Sequence, residues 1–348
     1  MCYFRIVMRL TDHRWTAAIL LLAAGALLLA GCRPKPVYVR FSGMALGTTY
    51  SVAAQVDRAG AQAWPERVAG ALDRLESSLS TFRPSSVISL INTGQSVQTD
   101  SMFRQVFRAA RIVHEASDGF FDVTVTPLVN AWGFGFAGAP HRQVPQATID
   151  SLLQMVGMDK VRLSADTIIK ALPGVMLDMS AIAKGFAVDV VAQLFEEAGC
   201  MDYLVEIGGE VRAAGRNEAG RIWRIGIDSP VDRAMPGDSL QTIAQLDGKS
   251  MATSGNYRQF FEVDGVRYAH TINPKTGCPT QDSLLSVTIV TDNAMMADAW
   301  ATACMASGYA GARRLLASRP ELEALLICGG RSGNSVYMTP GFTEMVLH

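Results

Sequence analysis

Asp178-Met179-Ser180-Ala181-Ile182-Ala183-Lys184-Gly185-Phe186-Ala187-Val188-Asp189 is the stretch on which the fold turns. Ahead of it, Gly174-Val175-Met176-Leu177 is a short apolar run of strand type. Behind it, Ile182, Phe186, Val190, Leu194 and Phe195 recur at helical spacing until Gly199 offers a stop. The pattern predicts a strand running into a helix. The join carries Asp178, Ser180 and Lys184, and a helix N-terminus presents free N–H groups and the positive end of the dipole. Two readings fit it: an anion site, most naturally for phosphate, and a plain turn in which Ser180 or Asp178 caps the helix while Lys184 lies in solvent.

Downstream the pattern turns to strands at 203–207, 211–215, 222–227, 242–246, 251–253 and 285–290. Gly208-Gly209-Glu210 separates the first two, and Asp264-Gly265 marks a tight hairpin between runs 258–263 and 266–272. That hairpin ends in His270-Thr271-Ile272-Asn273-Pro274-Lys275-Thr276-Gly277. His13 lies in the leader and His348 is terminal, so His270 is the best-placed general-base candidate. Asp292 or Asn293 then caps a helix expected from about 294 to 318. On it, Asp298 and Thr302 share one face among Ala297, Trp300, Ala301, Ala303 and Cys304, with no Lys or Arg before Arg313. A carboxylate in so apolar a setting calls for a cation. Two oxygen ligands suit a Mg²⁺ that keeps substrate phosphates as further ligands, and placement near a watered helix start explains the pair equally well.

Upstream, 37–41 and 48–56 read as strands about a turn at Gly47. Helices follow at 61–79 and 101–116, with a break at Ser80 to Ser86. The segment from Phe120-Phe121-Asp122 to Trp132-Gly133-Phe134-Gly135-Phe136 is dense in aromatics and glycine. It suits a flat wall for a stacked ring system, or an aromatic corner of the core. A short helix is expected at 148–155 and a hairpin at 161–169.

Three arginines, Arg5, Arg9 and Arg14, precede an apolar run from Trp15 to Ala30 that is short for a membrane span, and Leu29-Ala30-Gly31-Cys32 closes it. This order resembles a bacterial lipoprotein signal: residues 1–31 are a signal peptide, Cys32 is the lipidated N-terminus, 32–40 a tether and 41–348 the catalytic domain. The mature chain would then be held by its lipid on the periplasmic side of a membrane. Loss of three Arg and one Asp takes the net charge from −1 to −3, and no basic run remains to argue for nucleic acid. With 49% hydrophobic and 18% charged residues, a sizeable core is assured. Cys200, Cys278, Cys304 and Cys328 match no zinc or redox spacing, which leaves disulfides or buried thiols.

Several of these stretches, in order, resemble the ApbE family, the bacterial FAD:protein FMN transferases. They are Asp73-Arg74-Leu75-Glu76-Ser77 with Leu79-Ser80-Thr81-Phe82, then Phe120-Phe121-Asp122 with Thr124 and Pro127-Leu128, Asp178 to Asp189, and Glu206-Ile207-Gly208-Gly209-Glu210. Thr253 to Arg258, His270 to Gly277 and Ala297 to Thr302 complete the series. The resemblance implies Mg²⁺-dependent transfer of FMN from FAD to a Thr or Ser hydroxyl, with AMP leaving. It implies that Asp298, Thr302 and the Ala181 carbonyl hold Mg²⁺, and that Met44, Phe82, Phe120, Phe121, Asp122, Asp178, Lys184 and Ile272 line the FAD site. Its implied acceptor is a flavin-carrying subunit of a membrane redox complex. Phe120, Met179 and Phe82 depart from the residues usual in the family. The fold expected is α+β, with mixed and antiparallel sheets in two closely joined lobes and FAD between them. An FAD pyrophosphatase, or a flavin-binding lipoprotein without catalysis, are the competing readings.

Overall fold

The computed structural model describes residues 36–231, 237, 239–257, 259–330 and 333–347. The signal segment, Cys32 and Arg258 lie outside them. The chain opens with β1 (Val37–Ala45) and β2 (Thr48–Val56). Leu46 and Gly47 between them both take positive φ, 50° and 70°, as the tight turn of a right-twisted hairpin demands. A short 3-10 helix at Arg58–Ala63 leads into α1 (Trp64–Leu79), whose first turn holds Pro65, a residue preset for that position. Then come α2 (Val87–Asn92) and α3 (Ser101–Ala116), the latter capped by Asp100, which accepts the Phe103 N–H at 2.8 Å. After them lie α4 (Thr126–Ala131), α5 (Gln146–Leu153) and the hairpin of β3 (Val161–Ser164) and β4 (Thr167–Lys170).

The central helix expected from the sequence is α6 (Ser180–Glu197). The strand expected before it is absent: residues 174–177 are irregular. Val175 and Leu177 are fully buried, so the apolar signal is real, but among the described residues no strand pairs with them. The side chain of Asn92 does the pairing instead, donating to Leu177 O and accepting from Leu177 N, each at 2.8 Å.

Next follow β5 (Tyr203–Ile207), β6 (Glu210–Ala214), β7 (Trp223–Asp228), β8 (Leu240–Leu246), β9 (Lys249–Gly255), β10 (Phe260–Val263), β11 (Val266–Ala269) and β12 (Leu284–Thr291). The chain closes with α7 (Ala294–Ala317), β13 (Glu323–Cys328), β14 (Ser335–Met338) and α8 (Pro340–Met345). Eight strands make one sheet in the order β1-β2-β5-β6-β9-β12-β13-β14, and each pairing in it is antiparallel. The α+β class therefore holds, while the mixed character expected of the sheets is not found among the described strands. Two-residue turns at 46–47 and 208–209 allow only antiparallel neighbours.

The main core lies where α1, α3, α6 and α7 cover one side of the sheet. A second apolar cluster, with Trp223, Leu246, Leu325 and Phe342, sits under β7, β8 and α8. A third, smaller one gathers Leu128, Trp132, Ile149 and Ile272 beneath the β10–β11 hairpin, whose Asp264 and Gly265 both have positive φ. Cys200, Cys278, Cys304 and Cys328 are all free thiols.

Candidate active site

The first turns of α6 and α7 meet at Gly185. A Cβ there would stand 2.1 Å from the Ala294 carbonyl oxygen and 2.8 Å from Asp298 Cβ, so only glycine lets the helices approach this closely. Gly185 N–H donates to Asp298 Oδ2 at 3.0 Å. A regular α-helix aims that N–H at the Ala181 carbonyl. Asp189, further along α6, caps α7 by accepting the N–H groups of Ala294 and Met295 at 2.9 and 2.8 Å. Arg212 from β6 holds Asp189 in turn at 3.0 Å.

The reading that leaves Lys184 in solvent does not hold. Its ammonium is 2.6 Å from Glu210 Oε1 and 3.8 Å from Asp298 Oδ1, between two carboxylates that are each 3% exposed. A cation thus stands near Asp298 from another helix, paired more closely with Glu210 than with Asp298. Burial alone would lower the Lys184 pKa, but Asp298 and Glu210 together raise it well above the ordinary lysine value, so it stays an ammonium. Burial pushes the Glu210 carboxyl up to about 8 against the lowering pull of Lys184, with the Asp298 charge adding to the rise. Burial raises Asp298 too, opposed by Lys184 and the Gly185 N–H. Glu210 Oε2 is buried and has no hydrogen-bond partner.

Thr302, one turn along α7 from Asp298, stands with its hydroxyl 3.2 Å from Ser254 Oγ of β9. The Gly208-Gly209 turn closes the site from the sheet side. A Cβ on Gly208 would lie 2.8 Å from Thr48 Cγ2 and 3.3 Å from Lys184 Cδ, whereas one on Gly209 would meet nothing within 4 Å. The first glycine is a packing requirement; the second leaves backbone facing open space.

His270, just past the end of β11, is half-buried. Its Nδ1 lies 3.3 Å from the Gln259 carbonyl, a contact that makes Nδ1 the donor and leaves Nε2 as the basic nitrogen. Burial lowers its pKa and the charge of Lys184 lowers it further, so it is neutral at pH 7 and sits within the field of the Lys184 cluster.

The residues expected to line the flavin site divide. Met44 and Phe82 are 71% and 80% exposed, large apolar groups left in water, and Phe82 meets Phe136 edge-on at 6.4 Å. Phe120 is half-buried with the Lys275 ammonium 4.3 Å from its ring centre. Phe121 and Ile272 are buried, in the main and the smallest core cluster respectively. Asp122 pins its own loop, accepting the N–H and hydroxyl of Thr124 at 2.8 and 2.5 Å, with His114 at 3.4 Å. Asp178 accepts the Ser180 N–H at 2.8 Å at the start of α6, and burial raises its pKa.

Sequence reasoning gave no role to Glu210, Gly185, Asp189 or Ser254. A carboxylate directly after two glycines was the available signal for Glu210.

A sequence model of the ApbE family matches residues 46–326. The chain belongs to the ApbE family. The FAD:protein FMN transferase of Haemophilus influenzae is 36% identical to it over 82% of this chain and 85% of its own length. That of Vibrio cholerae is 35% identical over 95% and 98%. Among solved structures, the flavin transferase ApbE from Vibrio cholerae superposes with a TM-score of 0.80 at 31% identity, covering 89% of this chain and 99% of the other. The apo form of Pseudomonas stutzeri flavinyl transferase ApbE gives 0.80 at 32%, covering 89% and 97%. The family match thus spans both site helices and the His270 segment.

Proposed function

We propose that this chain transfers FMN from FAD to a threonine or serine hydroxyl of an acceptor protein and releases AMP. The observation that carries the reading is the buried Lys184–Glu210–Asp298 cluster at the α6–α7 contact, in a chain whose relatives bear the name of that reaction. In the step proposed, the acceptor oxygen forms a bond to the FMN phosphorus, the bond from that phosphorus to the AMP oxygen breaks, and the hydroxyl proton passes to His270 Nε2. A hydroxyl at its ordinary pKa attacks poorly without such a base.

The donor set fits Mg²⁺. The groups that would bind it are oxygens only, and the neighbouring Glu210 Oε2 is buried without a partner. Among the described residues no three His, Cys, Asp or Glu side chains converge. Asp298, Thr302 and the Ala181 carbonyl are the groups that would hold it, the last being the acceptor that the Gly185 N–H serves in a regular helix. When bound, the metal supplies Lewis-acid polarisation of the pyrophosphate and neutralises charge on departing AMP. Lys184 adds fixed positive charge in a site shielded from water, and Met44, Phe82 and Phe120 offer apolar surface to the flavin or adenine ring.

The acceptor we favour is a flavin-carrying subunit of a membrane redox complex, reached from the periplasmic face by an enzyme anchored through lipid on Cys32. The test is incubation of the chain from residue 33 onward with FAD, Mg²⁺ and such a subunit. A covalent flavin adduct with stoichiometric AMP is expected. AMP with FMN and no adduct would instead make the enzyme an FAD pyrophosphatase.

A further inference from the structure

Glu210 opens β6 with its carboxylate only half satisfied. Oε1 takes the Lys184 ammonium at 2.6 Å, and Oε2 is buried without a hydrogen-bond partner. A buried carboxylate left in this state is costly, which points to a role beyond packing. Lys184 faces two carboxylates yet pairs closely with one, lying 3.8 Å from Asp298 Oδ1. Asp298 spends Oδ2 on the Gly185 N–H, while Oδ1 has Lys184 at 3.8 Å, beyond hydrogen-bond distance. An ammonium and a divalent cation compete for the same carboxylate oxygen, so the choice Lys184 makes between its neighbours decides what Asp298 has left to offer.

We propose that Glu210 is a positioning residue for the divalent-cation site: it holds the Lys184 ammonium off Asp298 and keeps that carboxylate available to a metal. The proposal rests on reading Asp298 as a metal ligand. Without the Glu210 charge, Lys184 has one buried carboxylate within reach, and it closes on Asp298.

Lys184 supplies the control. Glu210→Gln weakens the hold on the ammonium; adding Lys184→Met to it removes the competing ammonium altogether. Mn²⁺ binding is measured from the loss of the free-ion electron paramagnetic resonance signal, for Mn²⁺ alone and with ADP as a pyrophosphate probe, with near-ultraviolet circular dichroism to confirm folding. Glu210→Gln is expected to weaken Mn²⁺ binding about tenfold or more, and the double variant to recover to within about threefold of the parent. Glu210→Asp keeps the charge but shortens the reach, preserves the fold more safely, and is expected to fall between. Unchanged affinity in both Glu210→Gln and Glu210→Asp overturns the proposal, as does a double variant as weak as the single, which would make Glu210 a ligand itself. If Asp298→Ala also leaves Mn²⁺ binding intact, the metal reading falls with it; if Asp298→Ala abolishes binding while the Glu210 variants do not change it, only the role of Glu210 is lost.

Discussion

Gly185 donates its backbone N–H to the Asp298 carboxylate at 3.0 Å, so α6 and α7 are joined beside the Lys184–Glu210 pair. The contact exists because residue 185 has no side chain.

Gly185→Ala should therefore damage stability and site together. The added methyl would overlap the Ala294 carbonyl, a backbone atom that cannot rotate away. Overpacking of this kind costs about 1–3 kcal/mol. A lowered calorimetric melting temperature together with a large loss of AMP release is expected; full stability in the variant would show slack between the helices.

Asp298→Ala should abolish Mg²⁺-dependent AMP release. Thr302→Ala removes a neutral ligand and should raise the Mg²⁺ requirement while leaving some activity. FAD binding should outlast activity in both, because the exposed apolar groups at Met44 and Phe82 are untouched. Flavin fluorescence titration beside AMP release measures the two separately, and an unchanged Mg²⁺ optimum in Asp298→Ala would place the metal elsewhere.

His270→Ala should slow transfer by roughly 10²-fold or more at saturating FAD with binding kept. Burial and Lys184 hold the His270 pKa below the ordinary 6.5, so the base is already neutral at pH 7. The rate should fall only as pH drops below about 6.5. The same shift bears on stability: the folded state resists protonating this ring, so its contribution is intact above the unfolded pKa and is lost as pH falls through the lower folded value. A rate profile whose acidic limb lay above pH 7 would take the base assignment from His270.

Cys32→Ser should yield an unlipidated protein that leaves the membrane fraction. From Cys32 to the start of β1 at Val37 an extended chain reaches roughly 17 Å, so a lipid on Cys32 would hold the enzyme close to the bilayer. Unchanged fractionation and mass in the variant would remove the anchor.

Helix and strand periodicity were plain in the sequence where burial was one-sided: β2 and α3 fall at the expected bounds, and α6 and α7 begin where expected. The run 174–177 misled because burial, which the sequence shows, was taken for pairing, which depends on a neighbour; the partner turned out to be the Asn92 side chain. In the site, the apolar surroundings of Asp298 show that a cation is needed, but not that Lys184 stands nearby, because the two residues approach only once α6 packs on α7. Glu210 stayed without a role for the same reason. Its chemistry arises from a contact between β6 and α6 that no local pattern encodes.

Glu210 and Arg212 project from the same side of β6, an interior strand of the sheet, and each grips a residue of α6: Lys184 and Asp189. Asp189 then fastens the first turn of α7. A centre tied into the middle of the sheet in this way has no small-scale opening of its own. Amide exchange at Gly185 and along the start of α7 should proceed through unfolding of the whole sheet, and on heating the enzyme should lose activity at its melting transition rather than pass through a folded, inactive form.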